Sequence, residues 1–128
     1  MTHQIHLTQI IKLSLISIVL FLNLNSCIKR ESYTIQINTV ESDRIDTIFF
    51  DTTKIVTGID FYIKSDVSGV YQIDFHDGDS YKISRRFQNS IDTSFCADWY
   101  TSKVIIHYQP DSNMRGKFLD IMVRPHIL

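Results

Sequence analysis

Three short stretches carry residue types able to do chemistry. The segment from Asp74 to Asp79 reads DFHDGD and holds Asp74, His76, Asp77 and Asp79 within six residues. Clustered hard oxygen ligands suit calcium. Their spacing is not that of an EF-hand loop, and Asp with Gly is also what a β-turn requires, which is the preferred reading. The second stretch, CADWYT, contains the only tryptophan of the chain. Trp99 and Tyr100 stand just before an alternating run, at a strand entrance or a loop tip. Exposed there, they form a candidate binding site, stacking on a sugar ring or anchoring a protein partner. The plainer reading, which is preferred, makes Trp99 a plug for one end of the core, with Tyr100 bonding backbone at a corner. Third, Cys96 and His107 are the residue types of a thiolate–imidazole pair, but no third group is evident and a cysteine is often simply buried.

None of this amounts to a catalytic signature. No GxSxG, HExxH or glycine-rich phosphate loop is present. Neither cysteine belongs to a CxxC pair, so no structural zinc site is indicated. No cofactor and no catalytic residue is expected, and the chain reads as a non-enzyme. The formal net charge is −1, and basic residues come singly or in pairs, so no basic stripe draws it to nucleic acid.

The elements that must position these residues read mostly as strands. Apolar residues recur at every second position in Tyr33-Ile35-Ile37, Ile59-Phe61-Ile63, Tyr71-Ile73-Phe75, Tyr81-Ile83, Val104-Ile106-Tyr108 and Leu119-Ile121-Val123. The run from Ile45 to Phe50 is less regular but rich in β-formers. About seven short strands in roughly 100 residues predict an all-β fold, a small antiparallel β-sandwich of the immunoglobulin-like or fibronectin type. Between two of these strands, His76-Asp77-Gly78 suits a three-residue hairpin loop with glycine at its third position. That register sets Phe75 opposite Asp79 and Ile73 opposite Tyr81, apolar against apolar.

The N-terminal stretch differs from all of this. From Leu13 to Leu24 the chain reads LSLISIVLFLNL, 12 residues preceded by Lys12, His3 and His6. A membrane-spanning helix needs about 20 apolar residues. A signal-peptide apolar region needs about 7–15. The run ends at Leu24-Asn25-Ser26-Cys27, which resembles the lipobox of bacterial envelope lipoproteins, with leucine, a small residue and then cysteine. Asn25 departs from the commonest pattern. The style of the segment is similar to lipoproteins of the Bacteroidota.

That resemblance implies cleavage between Ser26 and Cys27, with diacylglycerol on the Cys27 thiol and a further acyl chain such as palmitate on its new amine. Residues 1–26 are then a signal peptide, 27–32 the lipidated cysteine and a short tether, and 33–128 the β-sandwich domain. Two or more acyl chains anchor stably where one is marginal. The partner implied first is therefore the lipid bilayer, met through acylated Cys27. Ile28 stands where an inner-membrane retention aspartate would be, which favours the outer membrane. Whether the domain faces the periplasm or the cell surface stays open. Asp46-Thr47-Ile48 also resembles the O-glycosylation site of the same bacteria, making Thr47 a candidate acceptor that must be exposed. Together these readings predict an anchored, non-catalytic module that binds an envelope protein or a glycan. The alternative is a lipidated inhibitor or immunity protein directed at a toxin or cell-wall hydrolase.

Overall fold

The computed structural model describes residues 31–51, 53–79 and 81–128. The signal segment with Ser26 and Cys27 lies outside the described residues. Eight strands are present: β1 (Tyr33–Ile37), β2 (Arg44–Phe49), β3 (Val56–Ser68), β4 (Val70–His76), β5 (Lys82–Gln88), β6 (Asp92–Asp98), β7 (Lys103–Pro110) and β8 (Arg115–Ile127). They form two four-stranded antiparallel sheets, ordered β1-β8-β3-β6 and β2-β7-β4-β5.

The alternation explains why the sheets face each other. Successive side chains of a strand point to opposite faces, so one apolar set is buried between the sheets. In the first sheet Ile35, Ile37, Ile59, Phe61, Ile63, Leu119, Ile121 and Val123 point inward. In the second, Ile48, Tyr71, Ile73, Phe75, Val104, Ile106 and Tyr108 do so. The registers agree with this: Phe61 lies opposite both Val123 and Phe95, and Ile73 lies opposite Tyr108.

The antiparallel sandwich expected from periodicity is present, with eight strands where about seven were anticipated. Its connectivity is that of a jelly roll rather than of an immunoglobulin domain. Consecutive strands β1 and β2 lie in different sheets, and β1 pairs instead with the last strand, β8.

Two local features shape the ends of the sandwich. The β4–β5 hairpin pairs Phe75 with Ile83 and His76 with Lys82, so the loop between them is longer than the three residues anticipated. The register moves by an even number of positions. It therefore keeps the same faces inward, and alternation alone does not choose between the two. Gly78 still takes the positive φ of 95° that a turn needs. At the opposite end, the β3–β8 ladder carries a bulge between Asp66 and Val67. There a Cβ on Gly116 would stand 2.5 Å from the Asp66 carbonyl oxygen and 2.6 Å from the Val67 Cα, so only glycine fits.

Candidate functional site

Trp99 follows directly on β6 and turns into the sandwich. It is 1% exposed. Its indole N–H donates to the Lys103 carbonyl at 2.9 Å, and its ring meets Phe61 edge-on at 6.0 Å between centroids. Phe61 in turn contacts Phe75 at 4.4 Å and Phe95 at 5.0 Å, so the indole joins an aromatic cluster spanning both sheets. Trp99 is thus the core plug of the preferred reading, and the alternative of an exposed Trp99 platform is corrected. The reason is energetic: burying a ring of this size with its N–H bonded is favourable, and the β6–β7 connection supplies the acceptor.

Tyr100, the next residue, points the other way and is 76% exposed. Among the described residues its phenol makes no hydrogen bond to backbone, so the corner role is not seen. Across from it, Tyr81 is half-exposed and packs edge-on against Trp99 at 5.5 Å. Tyr81 lies outside β5, in the longer hairpin loop, rather than in the strand pattern that its spacing from Ile83 predicts.

Around these rings lies a pocket of about 310 Å³, lined by Asp77, Tyr81, Asp98, Trp99, Tyr100 and Thr101. Two of its polar groups are spent internally. The Thr101 hydroxyl donates to the Lys103 carbonyl at 3.1 Å, and Asp77 Oδ1 accepts the Asp79 N–H at 2.9 Å. Among the described residues, neither Asp77 nor Asp98 enters an ion pair. The sequence pointed to Trp99 and Tyr100 here and named Asp77 only as a turn or calcium residue; it missed Tyr81 and Asp98. Their one shared signal is that each stands at a strand end, where side chains escape alternation.

The remaining candidates resolve separately. Asp74 belongs to the outer face of the second sheet, where Lys82, Gln72 and Gln109 each reach it at 2.9 Å. Burial alone would raise its carboxyl; hydrogen bonds from Lys82, Ser84, Gln72 and Gln109 outweigh that and hold it well below the usual carboxylate range. The DFHDGD stretch is thus divided between a sheet-face network and a turn. Among the described residues no three His, Cys, Asp or Glu side chains converge as a metal site.

Cys96 and His107 lie on different sheets and do not meet. Cys96 is exposed and donates its thiol hydrogen to Asp60 Oδ1 at 2.9 Å, while His126 Nε2 stands 2.9 Å from Asp60 Oδ2. The carboxylate sits between thiol and imidazole, so the imidazole is not placed to take the thiol proton. The bond to Asp60 pushes the Cys96 thiol up, the opposite of nucleophile activation. His107 Nε2 instead meets Asp43 at 2.6 Å. Thr47 is exposed on the outer face of β2, between exposed Ile45 and Phe49.

No helix of the described residues is long and apolar enough to cross a membrane. No family model matches the chain, and no curated protein matches it. Similarity to solved structures is broad and shallow. A de novo designed double-stranded β-helix covers 75% of this chain and 99% of its own, at 11% identity and a TM-score of 0.36. A structure of the disulfide-linked pili of Bacillus endospore appendages covers 75% and 86%, at 15% identity and 0.43. The cupin domain of Drosophila melanogaster CENP-C covers 80% and 65%, at 8% identity and 0.40. With TM-scores below 0.5, none of these likenesses carries an argument.

Proposed function

We propose that this protein is an envelope lipoprotein, anchored in the outer membrane through acylated Cys27, that presents the jelly-roll domain as a non-catalytic binding module for an envelope protein or a glycan. The observation that carries the binding role is the pocket between Tyr81 and Tyr100, floored by Trp99. Pre-formed concave sites with aromatic walls and a few polar groups are where proteins take ligands. A non-catalytic role accords with the Cys96–Asp60–His126 arrangement, which lacks a base for the thiol. O-glycosylation at Thr47 is part of the same reading, since the hydroxyl is open and a glycan there would cover Ile45 and Phe49.

The anchor and the site are tested in one set of native cells expressing wild type, Cys27→Ala, Thr47→Ala and Tyr100→Ala. Radiolabelled fatty acid should enter wild type and not Cys27→Ala; equal labelling sinks the lipoprotein reading. Affinity capture from the envelope should recover a partner with wild type that Tyr100→Ala loses. Capture that ignores Tyr100 argues against the pocket. Intact mass should exceed that of Thr47→Ala by a glycan, and equal masses, corrected for the substitution, remove the glycosylation.

A further inference from the structure

We infer that the pocket beside Trp99 receives the ammonium-tipped side chain of a lysine on a partner polypeptide. This rests on the binding-module reading above and names the chemistry of its ligand. Among the polar groups left to the pocket, the two carboxylates only accept, while the two phenols both donate and accept. The Trp99 N–H and the Thr101 hydroxyl are both committed to the Lys103 carbonyl. What remains is the Asp98 carboxylate, the second oxygen of Asp77 and the phenols of Tyr81 and Tyr100. No basic side chain is among the lining residues. Lys103 turns its ammonium toward Gly78, where a Cβ would lie 3.1 Å from Nζ.

An anion entering this site would meet two carboxylates, and the Lys103 ammonium against Gly78 lies outside the lining. A sugar uses the site less fully than a cation, because only the two phenols donate to its hydroxyls and it brings no charge to answer the two carboxylates. A lysine satisfies every element at once. It offers three donors and no acceptor, and its alkyl stem lies on apolar walls while the ammonium reaches the rim. The faces of Tyr81 and Tyr100 attract a cation through their ring quadrupoles. The volume, about 310 Å³, stands at the small end of ligand pockets, the scale of a side chain rather than of an extended oligomer.

The test uses the full-length lipidated protein in a non-ionic detergent. Trp99 is its only tryptophan and forms the pocket floor, so its fluorescence reports occupancy. Three probes are titrated: Nα-acetyl-lysinamide, its uncharged analogue Nα-acetyl-norleucinamide, and the uncharged sugar N-acetylglucosamine. Acetyl-lysinamide should give a saturable change, with norleucinamide and N-acetylglucosamine each about tenfold weaker or worse. Asp98→Asn should weaken lysinamide about threefold, and Asp77→Asn with Asp98→Asn about tenfold. Asn keeps the Oδ1 acceptor that caps Asp79, and the norleucine comparison is made on wild type, so it stands even if a variant misfolds.

Equal binding of lysinamide and norleucinamide overturns the inference and leaves a plain apolar binding site. Preference for N-acetylglucosamine overturns it in favour of a glycan. If no probe binds while envelope capture still depends on Tyr100, the lysine inference alone falls. If neither probe binding nor Tyr100-dependent capture is seen, the binding-module reading falls with it.

Discussion

Asp74 and Asp98 carry the same carboxylate on opposite sheets of one sandwich, and their surroundings assign them opposite tasks. Asp74 is 4% exposed and receives Lys82, Gln72 and Gln109 at 2.9 Å each. Its acceptor capacity is spent on holding β4 to β5 and β7. Asp98 is exposed, lines the pocket and enters no ion pair among the described residues. A buried charge must be paired or it is destabilising, whereas an exposed one keeps its capacity for a ligand. The comparison teaches that saturation of the carboxylate, rather than its presence in an acidic stretch, separates a structural group from a candidate binding group.

The most severe way to break the contrast is to remove the floor shared by core and pocket. Trp99→Ala should cost about 3–5 kcal/mol of stability, read from the urea unfolding midpoint. A loss below about 1 kcal/mol would mean that the indole is not part of the core. Next comes the carboxylate pair itself. Asp74→Asn should cost about 1–3 kcal/mol at pH 7, while Asp98→Asn should stay within about 0.5 kcal/mol. The carboxyl of Asp74 is depressed in the folded state. Its contribution is therefore full above the unfolded carboxylate pKa of about 4 and is lost as pH falls further, toward the folded value. The advantage of wild type over Asp74→Asn should shrink between about pH 5 and pH 2. A difference that is constant across that range would show that the asparagine acts through packing instead of charge.

The smallest effect concerns the third kind of carboxylate, Asp60, which binds a thiol. Because that bond raises the Cys96 thiol, Asp60→Asn should increase the thiolate fraction at pH 8 and speed alkylation of Cys96 by iodoacetamide. An unchanged or slower rate would remove the hydrogen bond as the cause.

How much of this was legible in the sequence differs by strand. The central strands β3 and β8 are paired on both sides, so inward and outward residues are sharply divided and alternation reads cleanly. Edge strands blur it. β6 puts only Phe95 and Ala97 toward the core, both half-buried or more open, and it was not expected as a strand at all. β5 carries Arg85 on its inward side, where the guanidinium lies 4.8 Å from the Phe95 ring centroid. A charged residue at an inward position reads as a break in the pattern, although the edge of a sandwich lets it snorkel past an aromatic ring. The pocket was half legible for the same reason. Tyr100 and Trp99 stood out by type, but their burial is opposite, and adjacent residues give no sign of which one turns inward.

The sequence by itself determined the alternation, and with it two half-buried sheets, a sandwich and the positive φ at Gly78. These depend on contacts between near neighbours and on the fixed period of an extended chain. Only the tertiary structure decided that β1 joins β8, that Trp99 is sealed against Phe61, and that Asp77 and Asp98 come to line one pocket. Strand order is set by long-range pairings that leave the local period unchanged, and a side chain's exposure at a strand end depends on which distant element closes over it.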